Sequence, residues 1–185
     1  MPHLTIAYVT GYSEKDIGMM DQTPTATYPG TATSIPEIMD LAAQYHQAAA
    51  VLVLNAEQVG GPGPVRYGPA RFCAIHAVEL CLNAFLRLEG APPKAVRARM
   101  HNLADDRFVT TIGLRRKTAQ HLHSLTAQRE YLIARYAPDL LAQQSQLNRM
   151  MATLVEVQAK THAFVNRPAN RAKILDLSRR AAALP

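Results

Sequence analysis

The stretch RFCAIHAVELCLNAFLRLEG, residues 71–90, decides the fold, because nearly all of its side chains are apolar. Apolar residues that surround the whole axis are typical of a helix buried at the centre of a domain. Four polar residues interrupt them at spacings of three, four and four: His76, Glu79, Asn83 and Arg87. At these spacings the side chains form a stripe along one face of a helix. The stretch therefore predicts a central helix with one polar stripe.

Glu79 is the residue of this stripe that most needs a partner, because an unpaired carboxylate in an apolar core is costly. The candidates are His76, one turn earlier, His101, and a backbone donor at the start of the next helix. Two interpretations stay open. The stripe is a satisfied polar network that sets how the helices pack, or it is a ligand pocket or catalytic seam of the kind that helical bundles host.

Further helices are predicted on both sides of this stretch. Ser34 and Glu37 form a capping box with Pro36 in the first turn, which begins the preceding helix. Gly113 and Pro138 mark later helix boundaries, and His101 or Asn102 is expected to cap the third helix. The predicted helices lie near 35–56, 68–90, 102–112, 115–136 and 138–165.

The chain divides into three parts. Residues 1–33 are rich in Thr, Pro and Gly and predict an irregular arm, in which LTIAYV has the composition of a β-strand. Residues 34–166 carry the predicted helices, and their short loops imply antiparallel neighbours in an all-α, up-down bundle. Residues 167–185 form a basic tail that can add one further short helix. A length of 185 residues suits one such domain.

The sequence offers no pattern for a metal or a cofactor. Cys73 and Cys81 lie eight residues apart in one apolar run, which suits neither a disulfide nor a metal site, and both are interpreted as buried side chains. The chain has no His-Glu-x-x-His or Cys-x-x-Cys motif, no nucleophile elbow and no glycine-rich phosphate loop after a strand. We therefore expect no cofactor.

The sequence shows no pattern typical of a secretion signal or a membrane span. The first residues have no basic lead followed by an apolar segment, and no stretch reaches the ~18 apolar residues of a membrane span. A cytoplasmic location with no membrane partner is the resulting expectation. The net charge of +6 permits contact with nucleic acid. Lys94, Arg97 and Arg99 in one loop, together with the tail, are the candidate contacts.

The motifs taken together resemble the HEPN domain family (higher eukaryotes and prokaryotes nucleotide-binding). The order of HAVELCL at 76–82, HNLADD at 101–106 and ARYAPD at 134–139 is similar to the family's His-Ala-x-Glu-Leu-x-Leu-Lys helix, its His-Asp-Leu cap and its Arg-Tyr-Pro turn. The resemblance covers roughly 35–165. The matching residues are His76, Ala77, Glu79, Leu80, Leu82, His101, Leu103, Arg135 and Tyr136.

The resemblance implies an all-α bundle that is usually dimeric. Members of the family include ribonucleases, often toxins, that carry an Arg-x4–6-His motif. Others accompany nucleotidyltransferases or bind ligands without known chemistry. This chain departs from the pattern at Asn83, where Lys is common, and at Asn102, where Asp is usual. Ala137 also separates Tyr136 from Pro138. The two Asn residues each remove a charge from this site, which counts against phosphate binding there.

The nuclease spacing occurs in RKTAQHLH, where Arg116 pairs with His121 or His123. Such pairs are expected by chance in a chain rich in Arg with seven His, and the Asn of the family motif is missing. A solvated basic helix start explains the same residues. RNA cleavage through 2′-hydroxyl attack would need a base and a cation beside the phosphate.

These observations favour a HEPN-like binding or interaction module without chemistry of its own, working as a homodimer. One alternative is a metal-independent ribonuclease of toxin type that uses Arg116, His121 and His123 and is controlled by an antitoxin. Another is an accessory subunit of a separate nucleotidyltransferase. The binding residues are expected to be His76, Glu79, Asn83 and His101 in the stripe, and Lys94, Arg97 and Arg99 in the loop. Nucleotide or RNA is the expected ligand.

Overall fold

The fold is that of a helical bundle, seen in a computed structural model that describes residues 32–61 and 63–182, with side chains through residue 179. The predicted arm up to residue 31, with its LTIAYV stretch, lies outside the described residues. The α-helices are α1, Ile35–Val59; α2, Gly68–Leu88; α3, Pro93–Arg97; α4, Asp106–Ile112; α5, Arg116–Ala127; α6, Glu130–Tyr136; α7, Leu147–Val165; and α8, Pro168–Ala182. Two 3₁₀ turns, Gly63–Tyr67 and Pro138–Gln143, precede α2 and α7.

Helix α2 lies at the centre, as its composition predicts, and contacts α1, α6 and α7 most extensively. Its side chains Ile75, Leu82 and Phe85 are almost fully buried. The ring of Phe85 packs against Phe108 of α4 and Phe164 of α7, with centroid separations of 5.2 and 5.5 Å. The apolar circumference of α2 therefore forms the core onto which the other helices pack.

Small side chains line the contact between α1 and α2. Ala42 and Ala49 of α1 and Ala74 and Ala77 of α2 are completely buried. Short side chains permit close approach of two helix backbones, because the separation of packed helices depends on the residues at the contact. The capping box predicted at Ser34 and Glu37 is present and begins α1.

Three predicted helix boundaries are wrong. The third helix begins at Asp106 and not near residue 102, because Asp105 accepts the backbone N–H of Phe108 and is its N-cap. Pro138 begins a 3₁₀ turn, and α7 follows only at Leu147. The predicted helix over 115–136 is interrupted after Ala127, and Arg129 at the break has a left-handed backbone with φ of 52°.

Two further segments extend the bundle. The loop over 91–100 contains the short helix α3. Most of the basic tail forms α8, as the pattern of AKILDLSRRAAA allowed, and Ile174 on this helix is buried against the core. The all-α fold is thus confirmed, and the described residues contain eight α-helices and two 3₁₀ turns.

One helical stretch among the described residues, Gly63–Leu88, is long and apolar enough to cross a membrane. Of its most apolar window, 61% is buried inside the bundle, which is the environment of a core helix. Cys81 in this stretch is buried as predicted, whereas Cys73 is only half-buried, and both are free thiols.

Candidate functional site

The polar stripe of α2 meets His101 at the point where the chain approaches α4. Nδ1 of His101 lies 3.0 and 3.1 Å from the two carboxylate oxygens of Glu79 and donates to them. Nδ1 of His76 lies 3.6 Å from the nearer oxygen, which is beyond hydrogen-bond distance but close enough for an ion pair. The Glu79 side chain is 16% exposed. The predicted burial of Glu79 and its bond to a histidine are both confirmed.

The backbone around His101 is unusual. Met100 and His101 both have positive φ values, of 45° and 68°, although neither is glycine. Such conformations cost about 1 kcal/mol or more for residues with a Cβ atom and persist where surrounding contacts over-determine them. His101 therefore does not cap α4 as predicted. Its left-handed backbone instead directs the imidazole onto Glu79.

Aromatic rings enclose the histidines on several sides. Tyr131 of α6 stacks on His101 with a centroid separation of 3.7 Å. Phe72 lies parallel to His76 at 6.1 Å, and Tyr45 of α1 meets His76 edge-on at 4.5 Å. These rings hold both imidazoles in place beside the carboxylate. We call Tyr45, Phe72, His76, Glu79, His101 and Tyr131 the His–Glu cluster.

The electrostatics of the His–Glu cluster favour a charged carboxylate. Burial raises the pKa of Glu79, but the contacts with His76 and His101 more than offset this, so the pKa lies below its usual range. A carboxyl group in this state is ionised at neutral pH and is unsuited to act as a general acid. The cluster has the properties of a structural network that joins α2, α6 and the segment before α4.

The remaining residues of the stripe stay outside the His–Glu cluster. Asn83 is half-buried one turn further along α2 and makes no hydrogen bond to the cluster within the described part of the chain. Arg87 is also half-buried, and its Nη1 atom has no hydrogen-bond partner among the described residues. Burial lowers the pKa of Arg87. The structure thus joins His76, Glu79 and His101 but not Asn83.

A surface groove of 520 Å³ borders the His–Glu cluster. Phe72, which packs on His76, also lines this groove together with Arg135 and Tyr136. The Arg135 guanidinium lies over three rings, at 5.5 Å from Phe72, 5.1 Å from Tyr131 and 5.1 Å from Tyr136. Its Nη1 atom donates to the Tyr131 hydroxyl at 2.5 Å. We call this concavity the aromatic groove.

The three candidate catalytic residues are not assembled into one site. His121 is 6% exposed and its Nδ1 atom forms a 2.7 Å hydrogen bond with the hydroxyl of Thr153. Burial, with contributions from Arg149 and Arg71, lowers its pKa to about 4. His123 points outward from α5, with its side chain 52% exposed, and contacts Asp106 at 3.1 Å. Arg116 is exposed. Of the three, only Arg116 and His123 lie on the outer surface of α5.

The basic loop separates into two kinds of residue. Lys94 and Arg97 are exposed on α3. Arg99 is half-buried, pairs with Asp105 at 3.0 Å, and donates to the carbonyl groups of Asn102 and Ala104. Arg99 therefore stabilises the segment that leads into α4, and the exposed positive charge of this loop lies on α3.

Two buried ion networks were missed by the sequence analysis. Glu156 of α7 accepts from the backbone and side chain of Arg115 and from Thr118, and it pairs with Lys160. Burial raises the pKa of Glu156, but these donors outweigh it and hold the pKa at about 2. The other network joins Arg71, Glu130 and Ser145. Only the i, i+4 spacing of Glu156 and Lys160 is visible in the sequence.

No group of three or more His, Cys, Asp or Glu side chains in residues 32–61 and 63–179 is arranged to hold a metal ion. No family model, curated protein or solved structure matches this chain.

Proposed function

We propose that this chain is a HEPN-like binding or interaction module, cytoplasmic and homodimeric, without chemistry of its own. The observation that supports this most directly is the state of its titratable groups. His101 and Glu79 are engaged with each other, and His121 is buried and neutral at pH 7. A general base or acid needs a pKa near the working pH and access to its substrate, whereas the pKa values of Glu79 and His121 are lowered and His121 is buried.

The aromatic groove is the surface that we propose for ligand binding. It is concave, largely apolar, and has an exposed guanidinium at Arg135 beside the exposed ring of Tyr136, which is 68% accessible. Stacking on aromatic rings and on arginine is a sequence-tolerant way to bind bases, worth roughly 1–3 kcal/mol per base. A nucleotide or a short single-stranded segment of RNA fits this chemistry.

Exposed apolar residues on α1 support the proposed homodimer. Val51, Leu54 and Val59 are 63%, 59% and 75% exposed. Large apolar side chains gathered on one element of a surface are typical of protein–protein interfaces. A second copy of the chain is the occupant that we propose, in line with the dimers that the HEPN resemblance implies. A nucleotidyltransferase or an antitoxin is the hetero-partner implied by the same resemblance.

Fluorescence polarisation with a labelled single-stranded RNA tests the proposed ligand surface. We expect weak binding that falls steeply between low and physiological salt, because each phosphate contact releases counterions. Tyr136→Ala and Arg135→Ala should each weaken binding roughly tenfold, since each removes a stacking surface. Arg107→Ala is the control, because it removes the same charge from α4, outside the groove.

The outcomes separate the groove from general electrostatics. Equal losses in Arg135→Ala and Arg107→Ala would show that only net charge matters and would count against the groove. A loss confined to Lys94→Ala and Arg97→Ala would move the nucleic-acid surface to α3.

A further inference from the structure

A second groove, of 440 Å³, lies beside the first turns of α2 and is lined by Arg66 and Arg71. Leu141 lines both this groove and the aromatic groove. We call it the arginine groove. It shares neither a charged nor an aromatic residue with the proposed ligand surface, so a ligand here is independent of the proposed function.

Arg71 is the unusual residue of the arginine groove. It is only 6% exposed, yet its Nε and Nη1 atoms have no hydrogen-bond partner among the described residues. Buried N–H groups without an acceptor cost about 1–3 kcal/mol each, and more when the group is charged. Arg71 also lines a groove of ligand size, so an acceptor that enters this groove can complete its unmet hydrogen-bonding capacity.

Glu130 balances the charge of Arg71 without satisfying its donors. The two side chains approach only to 3.8 Å, which is too far for a hydrogen bond. Both carboxylate oxygens of Glu130 already accept from Ser145, one from its backbone N–H at 2.9 Å and the other from its hydroxyl at 3.0 Å. Glu130 is completely buried, so this geometry is fixed by the core.

The charge at the arginine groove is positive. Arg66 and Arg71 line the groove with no acidic residue beside them, so Glu130, which pairs with Arg71, leaves the charge of Arg66 unbalanced among the lining residues. Arg66 is exposed at the rim and lies over the ring of Tyr67 at 4.7 Å. Neither the 3₁₀ turn before α2 nor the first turn of α2 carries an acidic residue. A single anionic group would balance this site.

The remaining walls include three polar residues, Gln144, Ser145 and Gln146. They are otherwise apolar, with Tyr67, Leu141 and Leu147 beside the two arginines, and these apolar walls decide the class of ligand. Inorganic anions gain nothing from such walls, whereas an organic acid places its apolar part there. We infer that the arginine groove is a binding site for a small monocarboxylate with an apolar group, whose carboxylate accepts from Arg71 and pairs with Arg66.

Titration calorimetry of the full chain with benzoate and with hexanoate tests this inference. We expect saturable binding of at least one of them. Benzamide, which keeps the ring and loses the charge, should bind at least about tenfold more weakly, because charged acceptors form the stronger bonds to arginine. Inorganic phosphate at matched ionic strength should give no more heat than chloride.

Variants assign the binding to the two arginines. Arg66→Ala should weaken benzoate or hexanoate binding about fivefold or more through the loss of its ion pair. Arg71→Lys keeps the charge but loses the planar donors, and a loss of more than about tenfold is expected. Arg107→Ala is the charge-matched control and should bind like wild type. If Arg71→Lys does not fold, as judged by circular dichroism, Arg66→Ala decides the matter.

The Nε–H resonance of Arg71 provides a local readout by NMR, and it should shift on addition of the bound acid. The inference is overturned if neither acid binds at tens of millimolar. It is also overturned if phosphate binds more tightly than both acids, or if Arg107→Ala loses as much affinity as Arg66→Ala.

Discussion

Glu79 shows how one buried charge can specify the contacts of several elements. Its carboxylate lies on the central helix, and its donor, His101, comes from the segment before α4. Tyr131 of α6 then stacks on His101. Because a buried carboxylate without a donor is costly, the three elements are held in one arrangement.

Replacement of Glu79 by alanine should therefore destabilise the protein by about 3 kcal/mol, because it leaves His101 and His76 beside an empty position in the core. Urea unfolding followed by circular dichroism measures the change. Glu57→Ala, which removes an exposed carboxylate from α1, should change the free energy of unfolding by less than about 0.5 kcal/mol. An unchanged unfolding midpoint for Glu79→Ala would mean that the network contributes nothing to stability.

His121 provides a test of burial through its titration. Its folded pKa of about 4 lies below the ordinary 6.5, so the unfolded chain binds the proton first as the pH falls. The stability that neutral His121 contributes is present above pH 6.5 and is lost as the pH falls toward 4. In NMR titration its ring proton should have a midpoint near 4. A midpoint near 6.5 would show that His121 is solvated and accessible to substrate.

Among single residues, the sequence predicted the contact between Glu79 and a histidine, because a carboxylate in an apolar environment needs a partner. Glu79 interrupts an apolar helix, so a histidine partner could be inferred. His76, one turn earlier, and His101, at the predicted start of the next helix, were the two candidates. The pairs of Arg71 with Glu130 and of Arg115 with Glu156 could not be inferred. Their members are far apart in the chain, and nothing local distinguishes them from exposed charges.

Helix boundaries set by residues that are neighbours in the sequence were predicted, whereas those set by tertiary contacts were not. Ser34 and Glu37 begin α1 as predicted because both partners of the capping box are neighbours in sequence. The break between α5 and α6 was missed because Arg129 adopts a left-handed conformation without a glycine or proline to signal it. Glu130, next to it, is fully buried and bonded to Ser145, and this tertiary contact accounts for the break.

The two positive φ values in the segment before α4 allow a prediction about backbone strain. Met100 is 81% exposed, so Met100→Gly should relieve its positive φ without loss of contacts and stabilise the protein by up to about 1 kcal/mol. His101→Gly relieves the same kind of strain but removes the donor of Glu79, so it should destabilise. Thermal melts of both variants provide the comparison. Destabilisation by Met100→Gly equal to that of His101→Gly would show that backbone freedom, and not the ion pair, controls this segment.

For the whole molecule, the apolar circumference of residues 71–90 was sufficient to predict an all-α bundle around one central helix. The number of elements differs because short helices and 3₁₀ turns, such as α3 and Pro138–Gln143, depend on packing more than on periodicity. The candidate catalytic residues were chosen by spacing alone. Spacing does not tell which face of α5 is buried, and His121 and His123 therefore separate.

The proposed dimer can be tested by light scattering coupled to size-exclusion chromatography. The wild type should have about twice the 20.3 kDa mass of the chain. Val51→Glu and Leu54→Glu should shift the protein to the monomer, because each places a charge in the apolar contact. Gln120→Glu adds the same charge at an exposed position of α5, away from this face, and should remain dimeric. A monomeric wild type at tens of micromolar would contradict the proposal.

The central claim, a binding module without chemistry of its own, is tested most directly by an RNA cleavage assay with metal chelated. Structured RNA is incubated with wild type, Arg116→Ala, His121→Gln and His123→Ala, and the products are resolved on a denaturing gel. The account predicts no cleavage above the protein-free control for any of the four. Cleavage by wild type that disappears in Arg116→Ala and in either histidine variant would contradict it and would make residues 115–123 the active site.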